Sequence, residues 1–181
     1  MFCIRLCRAI LWGLSFMWLS ACSTVKVTDY QANAPALSLP TFFDGELTAH
    51  GVVKNRWGKV ERYFNATITA SWSNGVGTLD EHFIFDDGEK QRRVWTLKPN
   101  GQGQYIGTAD DVIGEGIARV AGNAVFLKYV LQIDYKGSKL NLTVDDRMYL
   151  VNDTTLINES RLTKWGFDVG EIVLVISKVD S

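Results

Sequence analysis

The sequence predicts an all-β protein, a small antiparallel up-and-down barrel of about eight to ten strands. Beyond Pro40, apolar and polar residues alternate with a period of two, as they do in strands that bury one face. Short turn sequences rich in Gly, Asn and Asp separate the alternating segments. No long segment has the three- and four-residue spacing of an amphipathic helix. These observations favour a meander of hairpins, and closing it into a barrel removes its exposed edges.

The first 21 residues have the layout of an export signal. A basic head with Arg5 and Arg8 precedes an apolar run, Ala9 to Trp18, which is shorter than the ~20 residues that a membrane-crossing helix needs. The following sequence, Leu19-Ser20-Ala21-Cys22, resembles a bacterial lipobox. The resemblance implies cleavage before Cys22 and diacylation of that cysteine. Residues 1–21 are therefore predicted to be a lipoprotein signal peptide, with an ordinary cleaved signal as the alternative.

The lipobox also predicts where the protein lies in the cell. Each buried CH₂ of an acyl chain contributes roughly 0.8 kcal/mol, and stable anchoring takes more than one chain, so a diacylated Cys22 would hold the protein on a membrane. Ser23 stands where an aspartate would favour retention in the inner membrane. In a Gram-negative host, we therefore expect a lipid-anchored protein of the cell envelope, on the periplasmic face of the outer membrane.

Two regions follow the signal. Residues 22–40 contain Pro35 and Pro40, small polar residues and little periodicity, and are predicted to be the lipidated N-terminus and a tether. Residues 41–181 are predicted to form the barrel. Its expected strands are Gly45–Asn55, Val60–Ser73, Gly77–Phe85, Gln91–Pro99, Gln104–Thr108, Gly116–Ala121, Ala124–Tyr135, Lys139–Val151, Thr154–Thr163 and Asp168–Val179.

A barrel of about eight strands is filled by its own side chains or holds one small ligand. A membrane-spanning barrel also alternates apolar and polar residues. That alternative is disfavoured because the strand faces carry charges such as Lys54, Glu61 and Lys128, and because a lipid anchor would then be redundant.

Composition argues against several functional classes. The formal net charge is −1, so the chain lacks the basic footprint of a nucleic-acid-binding protein. The three cysteines are Cys3, Cys7 and Cys22, which leaves no pair for a disulfide in the cleaved chain. His50 and His82 are too few and too far apart for a zinc site of the usual kind. We expect no metal and no cofactor.

Several charged residues share strand faces with apolar residues, and these are the candidate site residues. An unpaired charge on a buried face is costly, so each should have a partner. The less specific hypothesis is that they form structural salt bridges in or at the rim of the barrel. The sharper one places three arginines on the floor of a cavity, where they receive the carboxylate or phosphate of an amphiphile, with acidic and aromatic residues around them. The candidates are Arg62, Arg93, Arg119, Glu81, Asp146, Trp72, Trp95, Phe83 and Tyr105.

Short motifs follow one another in a fixed order along the chain. They are Thr41-Phe42-Phe43-Asp44-Gly45-Glu46-Leu47, Leu79-Asp80-Glu81-His82-Phe83, Asp87-Gly88, Arg93-Val94-Trp95, Tyr105-Ile106-Gly107, Asp110-Asp111-Val112-Ile113-Gly114, Gly122-Asn123-Ala124, Asp145-Asp146, Met148-Tyr149-Leu150 and Lys164-Trp165-Gly166. Their order resembles a family of uncharacterised bacterial lipoproteins, domain of unknown function 3833. Arg147 and Trp165 depart from the aromatic residues expected at those places, Trp and Phe. The resemblance implies a lipocalin-like barrel, no established reaction, and an association with fatty-acid modification that suits a lipid cargo.

Three functional hypotheses follow. The first is a non-enzymatic lipoprotein that binds or carries an amphiphilic, lipid-like molecule in its barrel. The second is an envelope interaction protein with a filled barrel that docks a protein partner on its outer surface. The third is an enzyme in which Asp146 or Glu81 acts as general acid or base with a shifted pKa. A cavity of several hundred Å³ would favour the first and a packed centre the second.

Overall fold

The computed structural model describes residues 24–179, so the predicted signal peptide and Cys22 lie outside the described residues. These residues form ten antiparallel strands in a closed barrel, in which each strand pairs with its neighbours in sequence and the first pairs with the last. The predicted all-β up-and-down barrel is confirmed. The strands are β1 (Gly45–Asn55), β2 (Val60–Ser73), β3 (Val76–Phe85), β4 (Lys90–Pro99), β5 (Gln104–Thr108), β6 (Val112–Ala121), β7 (Ala124–Tyr135), β8 (Ser138–Asn152), β9 (Thr155–Lys164) and β10 (Phe167–Lys178).

The alternation of residue types sets the inner and outer faces of the barrel. In β2, the even-numbered residues from Phe64 to Ala70 are buried, whereas the odd-numbered residues between them are exposed. A strand turns successive side chains to opposite faces, so every second residue enters the interior. Among residues 24–179, no helix is long and apolar enough to cross a membrane.

Nine of the ten predicted strands agree with the structure to within one residue at each end, and β6 is the exception. It begins at Val112, four residues before the predicted start. Its pairing with β7 is irregular between Ile113 and Ile117, and Gly114 has φ +75°. The irregularity interrupts the period of two, which is why the alternation in the sequence begins only at Gly116.

Consecutive hairpins lie at opposite ends of the barrel. The turns β1–β2, β3–β4, β5–β6, β7–β8 and β9–β10 lie at one end, which we call the mouth. The other four turns and the entrance to β1 lie at the closed end. There, a short helix α1 (Leu39–Phe42) and Phe43 cover the opening, with Leu39, Phe42 and Phe43 each 3% exposed.

Two polar side chains fix this cover in place. The indole of Trp72 donates a hydrogen bond to the carbonyl of Phe43 at 2.6 Å. Lys178, at the end of β10, donates to the carbonyls of Thr41, Phe42 and Asp44 at 2.9, 3.1 and 3.2 Å. The last turn of the covering segment therefore has its free carbonyl groups satisfied by side chains of the barrel.

The segment before the cover packs on the outside of the barrel. A 3₁₀ helix, Val27–Tyr30, places the ring of Tyr30 5.8 Å from that of Phe126 and 5.2 Å from that of Tyr149. Further on, the backbone N–H of Leu37 donates to the carbonyl of Gly122 at 2.8 Å. The prediction of a tether over residues 22–40 is therefore wrong for its described part, residues 24–40. Their few apolar residues are irregularly spaced, yet Val27, Tyr30 and Leu37 pack against apolar residues of the barrel.

Candidate functional site

Burial inside the barrel changes from the closed end to the mouth. At the closed end, the inward side chains of Leu47, Ile68 and Leu156 are no more than 2% exposed. At the mouth, Phe64 and Leu162 are still buried, with 5% and 8% exposed, but five other inward apolar residues are only half-buried. They are Phe83, Phe85, Ile133, Leu140 and Ile172. The interior is therefore dry and packed at one end and reached by water at the other.

An ion-pair cluster lies just inside the mouth. Arg93 of β4 donates to both carboxylate oxygens of Asp111, with distances of 2.7 to 3.0 Å. Glu81 faces Arg93 across the β3–β4 pairing, with 4.0 Å between the nearest charged atoms. The fork of a guanidinium matches a carboxylate in two parallel hydrogen bonds, so Asp111 holds Arg93 in one orientation.

Asp146 lies deeper, on β8, and is 6% exposed. Its partners are neutral side chains of β9: the amide of Asn158 and the hydroxyl of Ser160, the latter at 2.8 Å, both donate to one carboxylate oxygen. Asp146 and Ser160 are directly paired in the sheet, and Asn158 is the next inward residue of β9. The predicted requirement for a partner is met by hydrogen-bond donors rather than by an arginine.

Burial raises the pKa values of the acidic groups in this interior. Desolvation raises the pKa of Glu81 to about 7; the charge of Arg93 opposes the shift, whereas Asp146 and Asp111 add to it. Desolvation also raises the pKa of Asp146 in spite of its two hydrogen bonds. For Arg93, burial disfavours the charged form, but the hydrogen bonds to Asp111 prevail and its pKa rises. Glu81 is therefore a carboxyl group that changes charge near neutral pH.

Arg62 lies at the mouth on β2. It forms ion pairs with Asp87 at 2.9 Å and Glu89 at 2.8 Å, both in the β3–β4 turn, and its guanidinium stacks 3.8 Å from the ring centre of Phe85. Its Nε atom is buried without a hydrogen-bond partner. Arg93 lies 5.9 Å from the ring of Phe83, which stacks on Phe85. The two arginines therefore flank one pair of aromatic rings.

Arg119 does not join them, and its predicted inward position is wrong. The residue is exposed on the outer face of β6. The period of two correctly places it on the same face as Ile117 and Ala121. Ala121 is nevertheless buried by the N-terminal segment, on the outside of the barrel, where it packs with Val27 and Ala124. A cavity floor made of three arginines is therefore not what the structure contains.

The four predicted aromatic residues all point inward, but at different depths. Trp72 and Tyr105 pack edge to face near the closed end, with ring centres 5.7 Å apart. Trp95 packs against Tyr129, at 5.1 Å, in the middle of the barrel. Only Phe83 lies at the mouth. The other three fill the interior and are not surfaces for a ligand at this end.

Sequence reasoning missed Asp111, Phe85 and Ser160. Asp111 belongs to an Asp-Asp pair in the β5–β6 turn, where aspartate is common for its role in turns, and its contact with Arg93 is formed across the sheet. Ser160 is the next inward residue after Asn158 and carries the same alternating signal. Phe85 shares its face with Phe83, so its position at the mouth could have been found.

Two depressions lie on the outer surface. A groove of about 560 Å³ is lined by the β1–β2 turn and by outward residues of β8, β9 and β10, among them Asp145, Arg147 and Arg161. A depression of about 390 Å³ lies around Gly51 and is lined by residues of β1, β2 and β10. Within residues 24–179, no three His, Cys, Asp or Glu side chains are grouped as metal ligands.

A closed antiparallel barrel with one covered end and one water-accessible end is lipocalin-like in architecture. The chain belongs to the family described as protein of unknown function (DUF3833), whose model matches residues 16–178. The family resemblance stated from the sequence motifs is thereby confirmed. The sequence matches no curated protein.

Solved structures share this architecture at low sequence identity. The S-type phycobiliprotein lyase CPES from Guillardia theta has a TM-score of 0.59 and 12% identity, over 80% of this chain and 94% of that chain. A protein of unknown function from the DUF3598 family of Nostoc punctiforme has a TM-score of 0.58 and 15% identity, over 80% of this chain and 50% of that one. At such identities the likeness concerns the fold alone.

Proposed function

We propose that this protein binds an amphiphilic, lipid-like ligand at the mouth of its barrel, while acyl chains on Cys22 anchor it to the periplasmic face of the bacterial outer membrane. The proposal assigns no reaction to the site. The observation that carries it is the half-buried apolar lining of the mouth directly above buried ionisable groups. An apolar tail would cover the lining, and a polar head would meet Glu81 and Arg93.

The charges at the mouth indicate which head group fits. Arg62 and Arg93 are each already paired with carboxylates, and their neighbours are Asp87, Glu89, Asp111 and Glu81. An anionic head would have to displace a carboxylate from a guanidinium. A hydroxyl or amine head would instead donate to carboxylate oxygens that have free lone pairs. We therefore revise the expected carboxylate or phosphate head to a neutral or cationic one.

Native mass spectrometry of the protein purified from its host, followed by organic extraction, tests for a retained ligand. Dodecylamine, dodecanol and dodecanoate, which share one tail, then test the head group by displacement of an apolar fluorescent dye. We expect the amine and the alcohol to compete at least tenfold more strongly than the acid. An empty barrel that none of the three amphiphiles enters would overturn the proposal.

Adjacent residues of β3 provide a matched pair of variants. Phe83 faces the mouth, and Ile84 is 53% exposed on the outer face of the same strand. Phe83→Ser should weaken dye binding at least tenfold, and Ile84→Ser should change it less than twofold. Circular dichroism of both variants should match that of the wild type, because neither substitution should change the fold. Equal effects of the two substitutions would locate the binding outside the mouth.

A filled barrel that docks a protein partner is the second candidate function. It is supported by the packed closed half and by the outer position of the two depressions described above. Cross-linking in cells separates the two candidates, because a docking protein should yield a defined protein adduct and release no lipid on extraction.

The anchor has its own test. Labelling with radioactive palmitate should mark the wild-type chain and leave Cys22→Ser unmarked. An unlabelled wild-type chain would remove the membrane part of the proposal and leave the ligand site untouched.

A further inference from the structure

Exposed aromatic side chains are concentrated on three turns of the mouth. Trp57 in the β1–β2 turn is 77% exposed, and Trp165 and Phe167 at the β9–β10 turn are 88% and 75% exposed. Tyr135 at the β7–β8 turn is 53% exposed. We call these four residues the aromatic rim. Large aromatic residues so exposed on adjacent turns form a surface that is typical of a binding site.

Each of the three turns also carries a cation beside its aromatic residue. The guanidinium of Arg56 lies 4.4 Å from the ring centre of Trp57. The amine of Lys164 lies 5.0 Å from the ring of Trp165, and that of Lys136 lies 5.2 Å from the ring of Tyr135. Aromatic rings and cations therefore alternate along the same edge of the molecule.

The three turns are consecutive around the barrel. The strand order places β2, β1, β10, β9, β8 and β7 side by side, so their hairpins follow one another at intervals of two strands, roughly 10 Å. The other two turns of the mouth are acidic, with Asp86, Asp87 and Glu89 in one and Asp110 and Asp111 in the other. The mouth thus has a cationic aromatic half and an acidic half.

The backbone at Trp165 shows that the turn itself does not require tryptophan. Trp165 has φ +51° and precedes Gly166, the same arrangement as Asn74, φ +52°, before Gly75 at the closed end. Asparagine adopts this left-handed conformation readily, whereas a bulky residue there is strained. The closed end has the residue that favours folding, so the exposed tryptophan at the mouth points to a role outside the fold.

We propose that the aromatic rim and its three cations dock the mouth of the barrel onto an anionic lipid bilayer. Tryptophan and tyrosine are enriched at the interface between lipid and water, and lysine and arginine beside an anionic membrane are attracted to its surface. Side chains on separate protruding turns can enter the interface without a complementary groove. The acidic half is repelled by such a surface and stays in water. This docking does not depend on the ligand proposed above.

Fluorine NMR of the full chain labelled with 5-fluorotryptophan tests the contact residue by residue. The chain is mixed with bicelles of phosphatidylcholine containing one third phosphatidylglycerol and a spin-labelled lipid. The resonances of Trp57 and Trp165, assigned with Trp→Phe variants, should broaden at least fivefold more than those of Trp72 and Trp95, which lie inside the barrel. Trp165→Asn should keep the fold and reduce the broadening of Trp57.

Two sets of charge reversals with the same change in net charge complete the test. Arg56→Glu, Lys136→Glu and Lys164→Glu together should abolish the broadening of Trp57 and Trp165. The control set, which lies away from the mouth, combines Lys26→Glu, Lys98→Glu and Lys128→Glu. It should leave the broadening of Trp57 and Trp165 within twofold of that in the parent chain. The proposal is overturned if the resonances of Trp57 and Trp165 broaden no more than those of Trp72 and Trp95. A rim that binds an acidic protein instead of a bilayer would give this result. Equal losses in both sets would also overturn it.

Discussion

Glu81 and Arg93 show how a barrel can hold charge inside. Each is less than one fifth exposed, and each has a partner of opposite charge within 4.0 Å. Arg93 remains charged because it donates three hydrogen bonds to Asp111. Glu81 lies farther from Arg93, and its burial raises its pKa. Breaking such a buried pair by removing one partner costs more than the pair contributes, because the remaining charge is left without compensation.

The raised pKa of Glu81 makes the stability of the fold fall as pH rises. The unfolded carboxyl releases its proton near the ordinary pKa of 4.5, and the folded one near 7. Between these values the folded state binds more protons, so the free energy of unfolding decreases with pH through this window, by about 3 kcal/mol at most. Urea unfolding at pH 5 and pH 8 should show this loss in the wild type and not in Glu81→Gln. Parallel pH profiles for the two chains would contradict it.

At the scale of the elements, the sequence predicts the strands well and the N-terminal segment poorly. A period of two continues through each strand because one face is buried along its whole length. Residues 24–40 instead make local contacts at two places: Val27 and Tyr30 pack in one cluster with Ala121 and Ala124, and Leu37 bonds to Gly122. Such local contacts produce no period. The inward position predicted for Arg119 is wrong for a related reason. Alternation shows which residues share a face of the strand, but it does not show which face points into the barrel.

The contact between Gly122 and the N-terminal segment gives a test of how firmly that segment is held. Gly122 has φ +53°, and a Cβ atom there would collide with the carbonyl oxygen of Tyr30. Gly137 has φ +78° and open space around it. Gly137→Ala should cost about 1 kcal/mol from backbone strain alone.

Gly122→Ala should cost roughly 2 kcal/mol more, because the segment must also move. Urea unfolding measures both substitutions, and limited proteolysis should cleave residues 24–40 faster in Gly122→Ala. Equal costs for the two substitutions would show that the segment contributes nothing measurable to stability.

At the scale of the whole molecule, the two ends of the barrel differ in packing. The closed end is sealed by α1, Phe43 and the side chain of Lys178, whereas the mouth ends in turns with partly exposed apolar side chains beneath them. Sequence patterns assign residues to the two faces of each strand. They do not reveal which end is sealed, because that depends on how the N-terminal segment folds back.

Hydrogen exchange should follow this difference in packing. Regions with fewer buried apolar contacts open with smaller free energies. Amides at the mouth ends of β3, β4, β7 and β8 should therefore exchange before those paired around Leu47, Ile68 and Leu156. Mass spectrometry of exchanged peptides under native conditions measures the order. Earlier exchange at the closed end would contradict it.

The pairing of β1 with β10 has a consequence for how the chain is made. β1 and β10 lie far apart in the sequence, yet their pairing, which includes Leu47 with Lys178, completes the ring. During synthesis, every hairpin from β1 to β9 can form while two strand edges remain unsatisfied and prone to pair with other chains. The ring can close only after β10 (Phe167–Lys178) has been synthesised, so a nascent or truncated chain that lacks β10 is the form most exposed to aggregation.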